Sequence, residues 1–335
     1  MVVVTGASGH VGGNLVRALL DQGRRVRVVV RDDARAVEGL DVERVQADVL
    51  DPDSLKAAFD GAEVVFHLAA LILITGGQKG RVNRINVEGP RNVAAACLDR
   101  KVRRLVHFSS IHAYSPTPRN VPVDETRPFV GEDAPAYDRS KALGQQEVLA
   151  AVSRGLDAVI VNPTAVIGPH DYKPSRMGAV QRMLYRRKMP SLVSGGFDWV
   201  DVRDVVAGAL AAERNGRTGQ NYLLSGHWAS FPEFAALVGK VTGIRVPSLV
   251  VPLWLAYVGA PFVQAFAGLT GGMPLYTLEA LHALKCYGEV SHEKASRELG
   301  YSPRPLEETL RDTWEWWRRH DPGLGRDDPG GPAGG

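Results

Sequence analysis

Val2-Val3-Val4-Thr5-Gly6-Ala7-Ser8-Gly9-His10-Val11-Gly12, continued as a helical pattern to Leu20, is the stretch whose reading decides the fold. A β-branched run ends at Thr5 and a glycine-rich turn follows. Val11, Leu15, Val16, Leu19 and Leu20 then recur at helical spacing. Strand, glycine turn and helix in that order suit the diphosphate of a dinucleotide. Gly6 lets the chain turn sharply, Gly9 lets backbone approach a diphosphate, and Gly12 lets the helix lie close to the strand. The helix N-terminus adds unpaired N–H groups and a partial positive charge. The spacing is G-x-x-G-x-x-G rather than G-x-G-x-x-G, and the competing interpretation is a purely structural turn.

The 335 residues are 44% hydrophobic and 23% charged, enough to fill the core of one α/β unit with a smaller cap. A net charge of +3 makes no case for nucleic acid as a partner. Two cysteines, Cys97 and Cys286, cannot build a disulfide framework and fit a reducing compartment. A strand starting at Val2 leaves no room for a signal peptide, so a cytoplasmic protein is expected. The nine histidines show no metal-ligand spacing, and no metal is expected.

Strand-like runs at Arg25–Val30, Val42–Gln46, Val64–Leu68, Arg104–Ser109 and Ala158–Asn162 alternate with helical patterns. Asp51 and Pro52 read as the cap and first residue of one helix. Asn86–Leu98 and Tyr137–Val152 read as two more. Such alternation predicts a doubly wound parallel sheet with helices on both faces. Ligands then gather beyond the carboxyl ends of the strands. Residues 1–168 form the expected dinucleotide-binding domain, its sheet completed by about 197–225. Residues 169–196 and 226–319 form a mainly helical substrate cap. Leu306, Leu310, Trp314 and Trp317 mark one face of its last helix, and 320–335 reads as a disordered tail.

The second informative group is Tyr137-Asp138-Arg139-Ser140-Lys141. Tyr137 and Lys141 share a helix face. A tyrosine titrates near pH 10, and an ammonium beside it favours the phenolate, so the pair could act as general acid and base. The alternative is a surface tyrosine beside a surface lysine. Phe108-Ser109-Ser110, at the end of a predicted strand, could bring a hydroxyl to the phenol.

Thr5 to Gly12, the Asp48 region, His67-Leu68-Ala69-Ala70, Asn86-Val87-Glu88-Gly89, Ser109-Ser110, Tyr137 with Lys141, and Asn162 to Pro169 occur in that order. Together they resemble the extended short-chain dehydrogenase/reductase superfamily, of the NAD(P)-dependent epimerase/dehydratase type, from Val2 to about Trp317. The resemblance implies Tyr137 as the acid/base and Lys141 as the residue that lowers its pKa and holds the nicotinamide ribose. Ser110, four residues before Tyr114, matches the serine that hydrogen-bonds the reacting oxygen, with Ser109 as the fallback. Thr5, Gly6, Ser8, Gly9, His10, Val11 and Gly12 would meet the cofactor's phosphates. Asp48 and Val49 would meet its adenine, and Leu68, Ala69 and Ala70 its backbone. Asn162, Pro163, Thr164 and Val166 would close over the nicotinamide. Asn86 would brace the sheet or touch the site.

Val30-Arg31-Asp32 is similar to the NADP-using dihydroflavonol reductase and 3β-hydroxysteroid dehydrogenase branches. Val30 stands where NAD-using relatives carry an acid for the ribose 2′-hydroxyl, and Arg31 could pair a 2′-phosphate. NADP is therefore expected, with NAD as the alternative because Asp32 could reach the ribose. Ser194 to Trp199 lacks the arginine with which nucleotide-sugar epimerases grip a diphosphate, although Arg176, Arg182, Arg186, Arg187 and Lys188 lie nearby. Val246–Leu278 carries no charged residue and includes Trp254, Tyr257, Phe262 and Phe266. Pro252, Gly259 and Pro261 interrupt it, against a membrane span. Buried helices of the cap are expected there, with a dimer seam or peripheral membrane contact as alternatives.

These readings predict an oxidoreductase moving a hydride between nicotinamide and a ketone, aldehyde or secondary alcohol. Its small-molecule substrate would be apolar: steroid-like, terpenoid or aromatic. A homodimer is expected. The alternatives are a nucleotide-sugar or hopanoid-linked sugar epimerase/dehydratase and a non-catalytic, cofactor-sensing module.

Overall fold

Backbone sterics and apolar alternation set the first half of the chain, and a computed structural model shows the result for residues 1–30, 33–72, 79–260, 281–282, 284–285 and 287–324. Strand β1 (Val2–Thr5) is buried throughout and runs through the glycine turn into helix α1 (His10–Asp21). Then come β2 (Val26–Val30), β3 (Glu43–Gln46), α2 (Pro52–Ala58) and β4 (Val64–His67). Asp51 caps α2 as the sequence predicts, accepting from Asp53 N and Ser54 N, with Pro52 opening the helix.

After β4 the chain forms α3 (Lys79–Asn83), a π-helical turn (Arg84–Glu88) and α4 (Gly89–Asp99). Next are β5 (Arg104–Phe108), α5 (Ala136–Val152), β6 (Ala158–Pro163), β7 (Ala165–Ile167) and α6 (Arg176–Tyr185). Further elements among the described residues include β8 (Leu192–Val193), β9 (Gly196–Asp201), α7 (Val202–Asn215), β10 (Asn221–Leu224), β11 (His227–Ser230), α8 (Phe231–Thr242), β12 (Val250–Val251), α9 (Glu293–Leu299) and α10 (Leu306–His320).

Seven strands form one parallel sheet in the order β10-β6-β5-β4-β1-β2-β3. The winding direction reverses between β1 and β4, where such sheets open a crevice at the carboxyl edge. One apolar core joins the sheet to α1 and α7, and a second joins its other face to α2, α4 and α5. A third cluster, around Trp199, Phe234, Leu310 and Trp317, fills the C-terminal part. There β11, β9 and β7 form a small sheet. The π-helical turn has a steric partner: a Cβ on Gly144 of α5 would lie 2.1 Å from Asn86 O, so the helix approaches this turn backbone to backbone.

Two expectations for the C-terminal part change. Val250–Val251 form the short strand β12 and residues 253–260 are helical, and Trp254 is 68% exposed, with Leu255 and Val258 also exposed. That helix turns Leu253, Ala256 and Tyr257 inward and its other face to solvent, so it is not the buried helix expected. Phe262, Phe266 and Cys286 lie outside the described residues. At the chain's end, α10 runs through His320, and Asp321 beyond it is 2% exposed. Its carboxylate pairs with Arg182 Nε at 2.6 Å and with Arg186. Residues 325–335 of the expected tail lie outside the described residues. Among the described residues no helix is long and apolar enough to cross a membrane.

Candidate active site

The glycine turn is a tight joint. Gly6 has φ +73°, and a Cβ there would lie 2.6 Å from Ala69 N. A Cβ on Gly12 would lie 2.2 Å from Gly6 O. Gly9 differs: it is exposed, and its Cβ would meet nothing nearer than Gly6 O at 3.4 Å. Gly9 is also the N-cap of α1, with no side-chain cap and no acidic residue in the first turn. The N–H groups of His10 and Val11 therefore open onto the carboxyl edge, as a phosphate requires. Ser8 and Val11 are half-buried beside them. The His10 ring turns away, its Nε2 3.0 Å from Pro169 O, and Asn14 Nδ2 donates to the same carbonyl.

Thr5 Oγ1 ties the turn to β4, bonding His67 Nδ1 at 2.7 Å and accepting from Ala69 N at 3.3 Å. Leu68 N donates to Thr5 O, and Ala70 is exposed just beyond. His67 stacks on His107 of β5, ring centroids 5.3 Å apart. Burial pushes His67 down to about 3 and His107 well below its usual range, so both rings are neutral. The Lys141 charge acts on both in the same direction. Lys141 thus lies near the ends of β4 and β5, close enough for its charge to act on both rings.

Helix α5 brings Tyr137 and Lys141 to this edge. Lys141 is buried, and its Nζ donates to Phe108 O at 3.0 Å. Burial lowers its pKa to about 8. Burial pushes the Tyr137 phenol up to about 12, with Asp138 adding to the rise. The Arg176 charge and a hydrogen bond with the Ser110 hydroxyl pull it down. The sequence suggested that Lys141 lowers this pKa. Here its ammonium is directed to a backbone carbonyl and desolvation of the phenolate dominates.

Ser110 meets Tyr137 because β5 ends at Phe108 and the chain turns at once into a single 3-10 turn, Ile111–Ala113. Asn162 secures that turn, donating Nδ2 to Ser110 O at 3.0 Å and to Gln145 Oε1 at 2.9 Å. It is fully buried, so it braces Ser110 rather than closing over a ligand. Ser109 Oγ is buried and unpartnered among the described residues. Pro163, Thr164 and Val166 follow, half-buried. Asn86 braces too: its side chain bonds Leu71 N and O and donates to Ser140 Oγ. Asp48 is exposed and accepts from Leu50 N, while half-buried Val49 packs toward Gly89. Arg31 and Asp32 lie outside the described residues. Gln145, His112 and Asp138 were not singled out for this site from sequence, because nothing local marks them, and Arg176 was named only as a basic residue that could meet a substrate phosphate.

Thr164 Oγ1 donates to Asp198 Oδ1 at 2.7 Å, and Gly226 N donates to the same oxygen at 2.7 Å. Burial pushes the Asp198 carboxyl up to about 6 from its ordinary 3.8. A raised carboxyl favours the protonated folded state, so its contribution is full below pH 3.8 and lost as pH rises through about 6. Asp198→Asn keeps the accepting oxygen and removes the charge. Chemical denaturation should show it about 1–3 kcal/mol more stable than the wild type at neutral pH, with the gap closing in acid. A gap that stays constant with pH would refute this account.

The parts fit a dinucleotide: a cradle that added Cβ atoms would fill, an uncapped helix start, and an orphaned buried hydroxyl at Ser109. Residues 2–225 match the profile of the "NAD dependent epimerase/dehydratase family". The chain is 33% identical over 322 residues to "Sterol demethylase protein B" of Methylococcus capsulatus, covering 94% of this chain and 98% of that protein. It is 29% identical over 347 residues to "3beta-hydroxysteroid-dehydrogenase/decarboxylase isoform 1" of Arabidopsis thaliana, covering 93% and 78%. The crystal structure of gox2253 superposes with a TM-score of 0.83 at 33% identity, covering 96% of this chain and 98% of that one. With its parallel sheet, glycine joint and Tyr137–Lys141 helix, the chain belongs to the NAD-dependent epimerase/dehydratase family of extended short-chain dehydrogenases/reductases, enzymes acting on CH–OH and C=O groups.

Proposed function

We propose that the protein is an NADP-dependent oxidoreductase that interconverts an apolar ketone and its secondary alcohol. The observation that carries this reading is the meeting of the Ser110 and Tyr137 hydroxyls at the sheet's carboxyl edge, one helical turn from buried Lys141. In reduction Tyr137 gives its proton to the carbonyl oxygen. Ser110 donates a hydrogen bond to that oxygen as negative charge develops. Lys141 orients the ribose and keeps a positive charge beneath the site. The bound nicotinamide supplies or accepts the hydride.

Two relatives carry sterol or steroid in their names, which supports a steroid-like or similarly apolar substrate. The ring of His112, edge-on to Tyr137, and that of Tyr287 on the far side of His112 favour the same class. Arg182 and Arg186, two candidates for gripping a sugar diphosphate, are committed to Asp321. The test is a panel of 3-ketosteroids, terpenoid ketones, aryl ketones and UDP-sugars with NADPH. Net NADPH oxidation with an apolar ketone is expected. Conversion of a UDP-sugar with no net NADPH consumption would overturn the reading.

NADP is supported by Val30, which ends β2 without an acid for the ribose, and by the Arg31 that follows. Fluorescence titration should show NADPH binding roughly 10-fold tighter than NADH or better, with Arg31→Ala weakening NADPH alone. Equal affinities, or an equal loss for both, would favour NAD.

A further inference from the structure

The helix at residues 253–260 is apolar on both faces, and one of them is turned to solvent. Leu253, Ala256, Tyr257 and Ala260 recur at helical spacing and pack inward, in one cluster with Val193 and Leu281. Trp254 and Val258, four residues apart, form the opposite stripe at 68% and 60% exposure, with Leu255 exposed beside them. Leu249 and Val250 are exposed too and carry the apolar surface back along β12. A helix that is apolar all round belongs in a core or against lipid. An exposed apolar surface of this extent marks an interaction site.

This corner is tied to the body of the protein. Leu192 N donates to Leu249 O, Ser194 N to Val251 O, and Leu253 N to Ser194 Oγ at 2.9 Å. Because β8 and β12 are parallel, the chain enters both from the same end. The two segments that build the corner, residues 187–197 and 243–260, carry three charged residues: Arg187, Lys188 and Arg245. All three are cations, all three are exposed, and each lies just before one of the paired strands.

A stripe of tryptophan and aliphatic side chains beside a set of cations is complementary to an anionic bilayer surface. The apolar groups enter the headgroup and acyl boundary, where an indole is favoured, and the cations meet lipid phosphates. A second copy of the chain fits less well. A two-fold contact sets the patch against itself and brings both sets of cations together, with no acid from either segment to offset them.

We propose that the face formed by Leu249, Val250, Trp254, Leu255 and Val258, with Arg187, Lys188 and Arg245 beside it, docks the protein on an anionic lipid bilayer. The helix lies in the plane of the interface, its outer stripe among the lipids and its inner stripe on the protein. No residue of the Ser110–Tyr137–Lys141 group takes part, so this docking and the reductase reading stand or fall separately.

The full-length protein is sedimented with vesicles of phosphatidylcholine alone and of phosphatidylcholine with about 30% phosphatidylglycerol. Binding to the mixed vesicles is expected, roughly 10-fold or more above the neutral ones, and weakening as salt screens the cations. Trp254→Asp combined with Val258→Asp should lower it roughly 100-fold at an unchanged melting temperature, because both side chains are exposed. Arg187→Ser, Lys188→Ser and Arg245→Ser together should cost roughly 10- to 100-fold on the mixed vesicles and little on the neutral ones. Trp254→Phe keeps an apolar ring, so binding should persist while quenching of tryptophan fluorescence by brominated lipid falls. Absence of binding to the mixed vesicles, or binding that survives Trp254→Asp with Val258→Asp, overturns the proposal. So does self-association that this double variant abolishes in a protein that binds no vesicles, which assigns the face to a second copy.

Discussion

Replacing Tyr137 by Phe is expected to cut ketone reduction by about 1,000-fold while leaving the fold and dinucleotide affinity unchanged. Phe keeps the ring and its edge contact with His112 and removes only the oxygen that Ser110 meets. The loss should fall on kcat, since the proton is needed in the transition state and not for binding. Burial raises the phenol from its ordinary 10 to about 12, so the folded state favours the neutral form. The associated stability is full below pH 10 and disappears between 10 and about 12. Tyr137→Phe should therefore match the wild type in thermal melting at neutral pH and resist alkali slightly better. Steady-state turnover, dinucleotide titration and melting on one preparation check all three. A Tyr137→Phe enzyme within a few-fold of wild type would end the acid/base assignment.

The glycine turn offers the second large effect, and it separates folding from binding. Gly12→Ala forces a Cβ to within 2.2 Å of Gly6 O, and that atom is backbone and cannot swing aside. The expected cost is about 3 kcal/mol or more, because β1 and α1 must move apart in the centre of the core. Gly9→Ala adds its Cβ at 3.4 Å from the same oxygen, an ordinary contact, so the fold should survive. That Cβ occupies the exposed face of the α1 N-cap, where phosphate would approach, and affinity for NADPH should fall roughly 10-fold. Denaturation midpoints and dinucleotide titrations of the two variants provide the comparison. Equal stability loss in both would show that the turn is not the joint described.

Much of this could be read before any coordinates. Thr5, Gly6 and Gly12 declared a strand, a sharp turn and a close-lying helix, and each requirement appears in the structure as a close approach. Asp51-Pro52 declared a helix start and made one. The spacing of Tyr137 and Lys141 declared a shared helical face. What was illegible is where the side chains' polar atoms go. Lys141 donates to a carbonyl 33 residues earlier, and the His10 ring meets a carbonyl 159 residues away. Asp321 captures Arg182 and Arg186 from 139 and 135 residues beyond, in a stretch whose composition suggested a tail. Trp316, outside the expected apolar stripe of α10, is buried because Tyr172 packs against it from across the chain.

The sequence by itself determined the strand and helix alternation through Asn162, the glycine turn and the identity of the hydroxyl and amine groups. Those features follow from backbone sterics and side-chain periodicity, which act within a few residues. Only the tertiary structure decided that the Tyr137 phenol is raised rather than lowered, that Asn162 braces instead of covering, and that Trp254 faces solvent. Burial and partner choice depend on which distant groups converge, and the strength of a charge depends on the water that this convergence removes.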